Sequence, residues 1–266
     1  MITATPVLER VHVEDHPSGR EVRGEHDAVL LHGIGGAASS CAPLAARLAA
    51  AGLNCWCPDA PGYGRSHDPR AGVDPVDEIA DVVRALSPDR SVVLLGTSWG
   101  GVIAMALAIR HPGLVSALVV ADSTRGSGTS AHRAAAMRSR VTGLADRGPA
   151  AVAAERAGAL TAPGADPSIT AEVQRTMSAV RLPGFGVAAE FMAATDLGAD
   201  LASITAPTLV VVGEHDTITG VDESRLLAER IPGAVLRIVS DAGHVAIQER
   251  PGTVADHVMD FLGSLP

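Results

Sequence analysis

Short apolar runs alternate with alanine-rich amphipathic stretches along much of the chain. Runs such as 28–31 and 91–95 are typical of strands that are buried on both faces of a parallel sheet. The stretches between them have the spacing and the glycine stops of helices. Strand–helix repeats of this kind predict an α/β fold with right-handed crossovers and helices on both faces of the sheet. The predicted strands are 28–31, 53–57, 91–95, 114–121, 208–212 and 235–239, and the predicted helices are 43–51, 77–86, 100–110, 223–230 and 253–262.

Two regions depart from this alternation. Near the start, Val11 and Val13 alternate with polar residues, 17–19 has the composition of a turn and 21–23 returns, which predicts a β-hairpin. From 124 to 204 the chain has alanine-rich helical segments, punctuated by glycine and proline, and no convincing strand. We therefore predict one α/β core built from residues 1–123 and 205–266, with a helical segment inserted over 124–204.

Composition and charge exclude several classes of protein. The chain has 266 residues, 47% hydrophobic and 19% charged, which is typical of a globular protein with a full core. Its net charge of −9 disfavours a nucleic-acid surface, which needs clustered Lys and Arg. No apolar run approaches the ~20 residues of a membrane span, and the first residues lack the pattern of a secretory signal. We expect a cytoplasmic protein without nucleic-acid or membrane partners, and a homodimer is left open.

The three cysteines predict neither a disulfide framework nor a metal site. Cys55 and Cys57 alternate around Trp56 in a predicted strand, so their side chains should share one face. With Cys41, they are expected to be buried free thiols, because no histidine stands nearby to complete a metal site. No metal or other cofactor is predicted.

Ser98 stands in the stretch Gly-Thr-Ser-Trp-Gly-Gly of residues 96–101, between a predicted strand and a predicted helix. A serine at such a junction can be held on a sharp turn with its hydroxyl above the sheet, and the flanking glycines let the turn close. A purely structural turn is the alternative. The position between a five-residue apolar strand and a clean helix favours a nucleophile.

A serine nucleophile needs a base and an acid. Among ten histidines, His244 is favoured because it follows the last predicted strand, at the sheet edge where active sites of open α/β folds gather. Asp216 follows the preceding strand and gives the chain order serine, acid, histidine. Asp122, after an earlier strand, is a rival, although the capping of a turn suits it better. The predicted triad is Ser98, Asp216 and His244.

Acyl transfer also needs preorganised donors for an oxyanion, and these are usually backbone N–H groups. One is expected from Trp99, directly after the nucleophile, and the other from Ile34 in the glycine-rich loop 32–36. A phosphate cradle is the alternative function of this loop. However, no Lys-Ser/Thr follows it and the G-x-G-x-x-G spacing is absent.

Five segments together resemble the α/β-hydrolase superfamily, namely 32–36, 59–66, 96–101, 213–216 and 242–244. The resemblance covers nearly the whole chain. It implies the α/β-hydrolase fold, with a mostly parallel central sheet flanked by helices and with 124–204 as a helical cap over the active site. The closest likeness is to small esterases and enol-lactonases, through 242–251. The serine at position 98 disfavours haloalkane dehalogenases and epoxide hydrolases, which have an aspartate there. Proline iminopeptidases resemble 98–100 but have a proline-containing glycine loop that is missing here.

The predicted function is that of a serine hydrolase that cleaves a small-molecule carboxylic ester or lactone through an acyl-enzyme. Cofactor-free lyase, cyclase or perhydrolase chemistry and carbon–carbon bond hydrolysis occur on the same fold and are the alternatives. Carbon–carbon hydrolases usually carry a tryptophan after the histidine, where this chain has Val245. A non-catalytic receptor is a third alternative, but it would have no need of a complete triad.

The substrate pocket is expected to be aliphatic, because aromatic residues make up only 2% of the chain. The exceptions would be Trp99 and Phe185 or Phe191. Any arginine of the helical segment that points inward could bind a carboxylate, although solvated arginines are commoner. The candidates are Arg125, Arg133, Arg138, Arg140, Arg147, Arg156, Arg175 and Arg181.

Overall fold

Seven strands form one sheet in the computed structural model, which describes residues 5–19 and 27–265. The order across the sheet is β1-β3-β2-β4-β5-β6-β7, and every neighbouring pair is parallel except β1 and β3. This topology confirms the predicted α/β-hydrolase fold. The strands are β1 (Val13–His16), β2 (Asp27–Leu31), β3 (Asn54–Pro58), β4 (Val92–Thr97), β5 (Val115–Ala121), β6 (Thr208–Gly213) and β7 (Val235–Val239).

Helices cover both faces of the sheet. Because side chains alternate along a strand, Val29 and Leu31 of β2 enter one apolar core while Ala28 and Leu30 enter the other. The first core is closed by α2 (Pro75–Leu86), α3 (Trp99–Arg110) and α8 (Val221–Arg230). The second is closed by α1 (Ala38–Ala51), α9 (Ala246–Glu249) and α10 (Pro251–Gly263).

Helix α1 begins five residues before the predicted start and contains Pro43. Its first turn is stabilised from a distant loop, since Oδ1 of Asp59 accepts the backbone N–H of Ala38 at 2.7 Å. That acceptor lies 21 residues further along the chain, where local sequence patterns do not register it. The predicted start at 43 was therefore wrong.

The edge of the sheet is only partly described at the start of the chain. Strand β1 pairs antiparallel with β3, from Val13 opposite Pro58 to His16 opposite Cys55. The predicted returning strand at 21–23 lies outside the described residues. The three cysteines are buried and free, and Cys55 and Cys57 share one core, as predicted.

Four α-helices lie between β5 and β6. They are α4 (Ala131–Arg147), α5 (Pro149–Arg156), α6 (Pro167–Ser178) and α7 (Leu182–Ala194). Helix α4 packs on α7, and α5 packs on α6. At one contact between this segment and the core, two glycine backbones approach so closely that a side chain would not fit. A Cβ on Gly184 would lie 2.6 Å from the carbonyl oxygen of Gly62. The status of 124–204 as a separate cap domain stays a prediction.

No helix in the described part of the chain has both the length and the apolar character that a membrane span requires. The longest, α4, has 17 residues and exposes many charged side chains.

Candidate active site

Ser98 occupies the junction between β4 and α3 in a strained conformation, with φ 54° and ψ −119°. Non-glycine residues rarely adopt such angles, and they persist only where the surroundings impose them. Here the backbone N–H of Ser98 donates to the carbonyl oxygen of Ala121 at 3.0 Å. The carbonyl oxygen of Ser98 accepts the hydroxyl of Ser123 at 2.6 Å. Two hydrogen bonds to β5 and the residues after it thus fix the turn.

The glycines around Ser98 are required by close backbone approach. A Cβ on Gly96 would lie 2.1 Å from the carbonyl oxygen of Gly100. A Cβ on Gly100 would lie 2.4 Å from the carbonyl oxygen of Leu31 in β2. Helix α3 can therefore begin directly against two strands, and this places Ser98 at their carboxyl ends.

His244 lies in the loop after β7 and bridges the other two residues of the predicted triad. Its Nε2 lies 3.1 Å from Oγ of Ser98, and its Nδ1 lies 3.1 Å from Oδ2 of Asp216. In the tautomer protonated at Nδ1, the ring donates to Asp216 and accepts the hydroxyl of Ser98. His244 and Asp216 are buried, whereas Ser98 is partly exposed to a cavity. The structure thus brings the three predicted residues together.

Asp216 is held in its ionised form by the loop that follows β6. Oδ1 accepts the backbone N–H groups of Ile218 at 2.8 Å and Thr219 at 3.1 Å, and Oδ2 accepts the hydroxyl of Thr219. Burial alone would raise the pKa of Asp216. The hydrogen bond from His244, the charge of that ring and the hydrogen bonds from Thr219 outweigh this effect and lower the pKa to about 2. The carboxylate can therefore stabilise a charged imidazole.

Asp122, the rival acid, follows β5 but bonds to backbone rather than to the imidazole. Its Oδ1 accepts the N–H of Gly213 at 2.9 Å, and its Oδ2 accepts the N–H of Ala246 at 3.0 Å. Burial raises its pKa to about 7, although the charge of His244 and the two backbone N–H donors act to lower it. Asp122 thus ties together the loops that carry Asp216 and His244.

The two predicted oxyanion donors belong to residues that lie close to Ser98. A Cβ on Gly33 would lie 3.3 Å from Cβ of Ser98, so the loop 32–36 passes beside the serine, and Ile34 lines the same cavity. Trp99 is the first residue of α3. Within the described residues, neither backbone N–H of Ile34 and Trp99 donates a hydrogen bond to another group. Both are free for an acceptor.

His32 orders the loop 32–36. Its Nδ1 donates to the carbonyl oxygen of Gly33 at 2.8 Å, and its Nε2 accepts the N–H of Ala60 at 3.0 Å. Burial lowers its pKa, so the ring is neutral and makes both contacts. The rings of Tyr63 and Trp99 pack against it at 4.9 and 5.9 Å.

A cavity of about 90 Å³ opens over Ser98 and His244. Its apolar lining is aliphatic, and the helical segment supplies much of it: Leu160, Val173 and Met177, with Ile218 and Val245 from the core. A second cavity of about 200 Å³ shares Gly35, Arg140, Arg156 and Met177 with the first and includes Phe185. Trp99 instead lines a separate small space beside Ile103, and Phe191 lines none of these cavities. The aliphatic prediction holds for the cavity at Ser98.

Glu249 supports the site but was not recognised in the sequence. Its Oε2 accepts the N–H of Gly243 at 2.6 Å, and its Oε1 accepts the N–H of Ala162 in the helical segment at 2.8 Å. Glu249 therefore joins the His244 loop to the helical segment. Nothing in the sequence indicates that Glu249 is buried, because a glutamate before Arg250 and Pro251 is typical of an exposed position at the start of a helix.

Three comparisons place the chain among known proteins. A family model described as the alpha/beta hydrolase fold matches residues 29–251. A 2-hydroxy-6-oxononadienedioate/2-hydroxy-6-oxononatrienedioate hydrolase of Cupriavidus pinatubonensis is 32% identical, over 96% of this chain and 91% of the relative. A pimeloyl-[acyl-carrier protein] methyl ester esterase of Aromatoleum aromaticum is 30% identical, over 89% of this chain and 98% of the relative. The solved structure of a thermophilic esterase from Thermogutta terrifontis has a TM-score of 0.86 at 23% identity, covering 95% of this chain and 93% of that one.

The fold, the junction at Ser98 and the family match together define the class of this protein. The chain belongs to the α/β-hydrolase family, and it is a hydrolase.

Proposed function

We propose that this hydrolase cleaves a small carboxylic ester or lactone by two-step acyl transfer, with Ser98 as nucleophile, His244 as general base and Asp216 as its acid partner. The observation that carries the proposal is the continuous hydrogen-bonded chain from Oγ of Ser98 through both ring nitrogens of His244 to Asp216. That arrangement activates a hydroxyl that is otherwise a poor nucleophile.

Each step follows from the positions of these groups. Oγ of Ser98 attacks the carbonyl carbon while Nε2 of His244 takes the hydroxyl proton, and the charged ring is stabilised by Asp216. The N–H groups of Ile34 and Trp99 accommodate the oxyanion. His244 then donates its proton to the departing alcohol oxygen. Water, deprotonated by His244, then attacks the acyl carbon. As the bond to Oγ of Ser98 breaks, His244 returns the proton to Oγ, and the acid product is released.

Acyl-enzyme formation is the direct test of this mechanism. Mixing the enzyme with excess 4-nitrophenyl acetate and quenching in acid should give a protein mass increased by one acetyl group, located on the peptide that contains Ser98. Ser98→Ala should give no adduct and no turnover above background. Normal turnover by Ser98→Ala would overturn the proposal.

The size of the cavities supports small substrates. The spaces of about 90 and 200 Å³ suit short and medium acyl groups better than three long acyl chains. We expect short-chain esters and lactones to be hydrolysed with higher kcat/KM than triolein, and the opposite ranking would contradict this assignment.

Carbon–carbon bond hydrolysis is a second candidate, and the Cupriavidus relative favours it. That protein is named as a hydrolase of 2-hydroxy-6-oxononadienedioate and 2-hydroxy-6-oxononatrienedioate, and neither name contains an alkyl ester group. Val245 follows His244 here, where carbon–carbon hydrolases usually have tryptophan, so we place this candidate second. Direct comparison of kcat/KM on such a dienedioate and on simple esters decides between the two.

A further inference from the structure

Two arginines of the helical segment line the same cavity as Ser98 and His244. Arg140 lies near the middle of α4, and Arg156 is the last residue of α5. Both are partly buried, and both also line the second cavity. They therefore stand where the two spaces meet, within the region that a bound substrate would enter.

Neither arginine has an acidic partner in the part of the chain that the structure describes. Among the described residues, no carboxylate oxygen lies within the 4.0 Å of an ion pair to Arg140 or Arg156, and Nε of Arg156 is buried without a hydrogen bond. Five of the other six arginines of the segment differ, and the sixth, Arg133, is exposed. Carboxylates pair with Arg125, Arg138, Arg147, Arg175 and Arg181.

The contacts of Arg140 leave its charge uncompensated. Its guanidinium carbon lies 5.4 Å from the ring centre of Phe185, and among the described residues its one hydrogen bond runs from Nη1 to the sulfur of Met137, at 3.6 Å. A thioether is a weak acceptor, so most of the five N–H donors remain available. The aromatic face holds the planar group in place without neutralising it.

The charge persists in spite of its surroundings. Burial and the neighbouring charge of Arg156 lower the pKa of Arg140 to about 10, so Arg140 remains protonated at neutral pH. Two like charges in a partly buried space are unfavourable unless an anion joins them. Paired arginines present planar, bidentate donors that match a carboxylate.

We propose that Arg140 and Arg156 form a carboxylate-binding subsite, so that the ester or lactone hydrolysed at Ser98 carries a second, free carboxylate. The inference rests on the proposed function for the identity of the reacting group, but the subsite itself is defined by the arginines. Because Arg140, Arg156 and Ser98 line the same small cavity, we expect only a few carbon atoms between the two groups of the substrate.

Binding to a protein that cannot turn over tests the subsite separately from the chemistry. In a Ser98→Ala background, ligand-observed NMR should show that monomethyl adipate binds at least about tenfold more tightly than methyl hexanoate, which lacks the carboxylate. Arg140→Met and Arg156→Met should each remove most of that difference, whereas Arg140→Lys should retain part of it because the charge remains. Circular dichroism checks that each variant is folded.

Arg133 supplies the matched control. It lies on the same helix, is exposed and has no ion pair among the described residues. Arg133→Met should leave the preference for monomethyl adipate unchanged. Equal binding of the two esters to the protein with both arginines intact, or a preference that survives in both Arg140→Met and Arg156→Met, would overturn the subsite. Displacement by inorganic phosphate at lower concentration than by adipate would overturn its assignment to a carboxylate.

Kinetics with the unmodified enzyme separates the two proposals. We expect kcat/KM for mono-4-nitrophenyl adipate to exceed that for 4-nitrophenyl hexanoate by about 10- to 100-fold. Equal kcat/KM for the two esters would contradict the carboxylate subsite and still support the proposed chemistry of Ser98. Tight binding of monomethyl adipate with no detectable acyl-enzyme would contradict the proposed ester chemistry and still support the carboxylate subsite.

Discussion

Asp122 and Ala246 are 124 positions apart in the chain, yet Oδ2 of one accepts the backbone N–H of the other at 3.0 Å. The second oxygen of Asp122 accepts the N–H of Gly213 at the end of β6. One buried carboxylate therefore fixes the loop of His244 relative to the loop of Asp216. Among the described residues, the carboxylate that hydrogen-bonds to the imidazole of His244 is Asp216, and the bonds of Asp122 run to backbone N–H groups.

The two acids should respond very differently to the same substitution. Asp216→Asn keeps the shape of the side chain but removes the charge that orients and stabilises His244, and the comparable change in a serine protease lowers kcat by about 10⁴-fold. Asp122→Asn should lower kcat far less, because the imidazole keeps its partner. Measurement of kcat on one activated ester, with circular dichroism for folding, checks this. A large loss of kcat in Asp122→Asn together with nearly normal kcat in Asp216→Asn would show that Asp122 is the acid partner of His244.

The raised pKa of Asp122 predicts a specific dependence of stability on pH. The folded protein holds this proton up to about pH 7, whereas an unfolded chain releases it near pH ~3.9. The contribution of Asp122 to the free energy of unfolding is therefore complete below pH ~4 and is lost as the pH rises through 7. Urea unfolding of the wild type and Asp122→Asn from pH 5 to 8 should show their difference shrinking as the pH rises. A difference that grows with pH would contradict the raised pKa.

Gly100 should not tolerate a methyl group. A Cβ there would lie 2.4 Å from the carbonyl oxygen of Leu31, so Gly100→Ala forces α3 away from β2 and displaces Ser98. We expect a loss of about 1–3 kcal/mol or more in the free energy of unfolding, with reduced activity. Gly252, on α10, is the control, since no atom of the described residues lies within 4 Å of an added Cβ. Gly252→Ala should be neutral or stabilising, and equal effects of the two substitutions would refute the packing argument.

Glu249→Gln should weaken the attachment of the His244 loop. Both carboxylate oxygens accept backbone N–H groups, from Gly243 and Ala162, and an amide can satisfy only one of them. We expect kcat to fall by about tenfold, together with a loss of stability of about 1–3 kcal/mol. Glu229→Gln, at an exposed position of α8, should change neither. Wild-type kcat in Glu249→Gln would show that this clamp does not position the histidine.

Local patterns predicted the elements around the candidate site well, because each candidate residue lies within a few positions of the end of a predicted strand. Ser98, Asp216 and His244 come after β4, β6 and β7, and parallel strands bring their carboxyl ends to one edge. The sequence also contained both candidate acids, and only the distances showed which of them contacts His244.

What sequence patterns missed depends on contacts between distant residues. The start of α1 rests on Asp59, and the position of the His244 loop rests on Glu249, and in each case a carboxylate bonds to backbone far away along the chain. Likewise, sequence patterns could not distinguish among the eight arginines of the helical segment. Only burial and the absence of a carboxylate neighbour among the described residues set Arg140 and Arg156 apart.

Covalent labelling of Ser98 tests the central claim most directly. A fluorophosphonate reacts with a serine hydroxyl that a neighbouring base has activated. The probe should label the protein at one site, and peptide mapping should locate the adduct on Ser98. Ser98→Ala should lose both labelling and about 10⁶-fold in kcat, while Ser264→Ala, at an exposed position, should retain both. Labelling of Ser98→Ala at the wild-type level, or its hydrolysis of esters at the wild-type rate, would contradict the account.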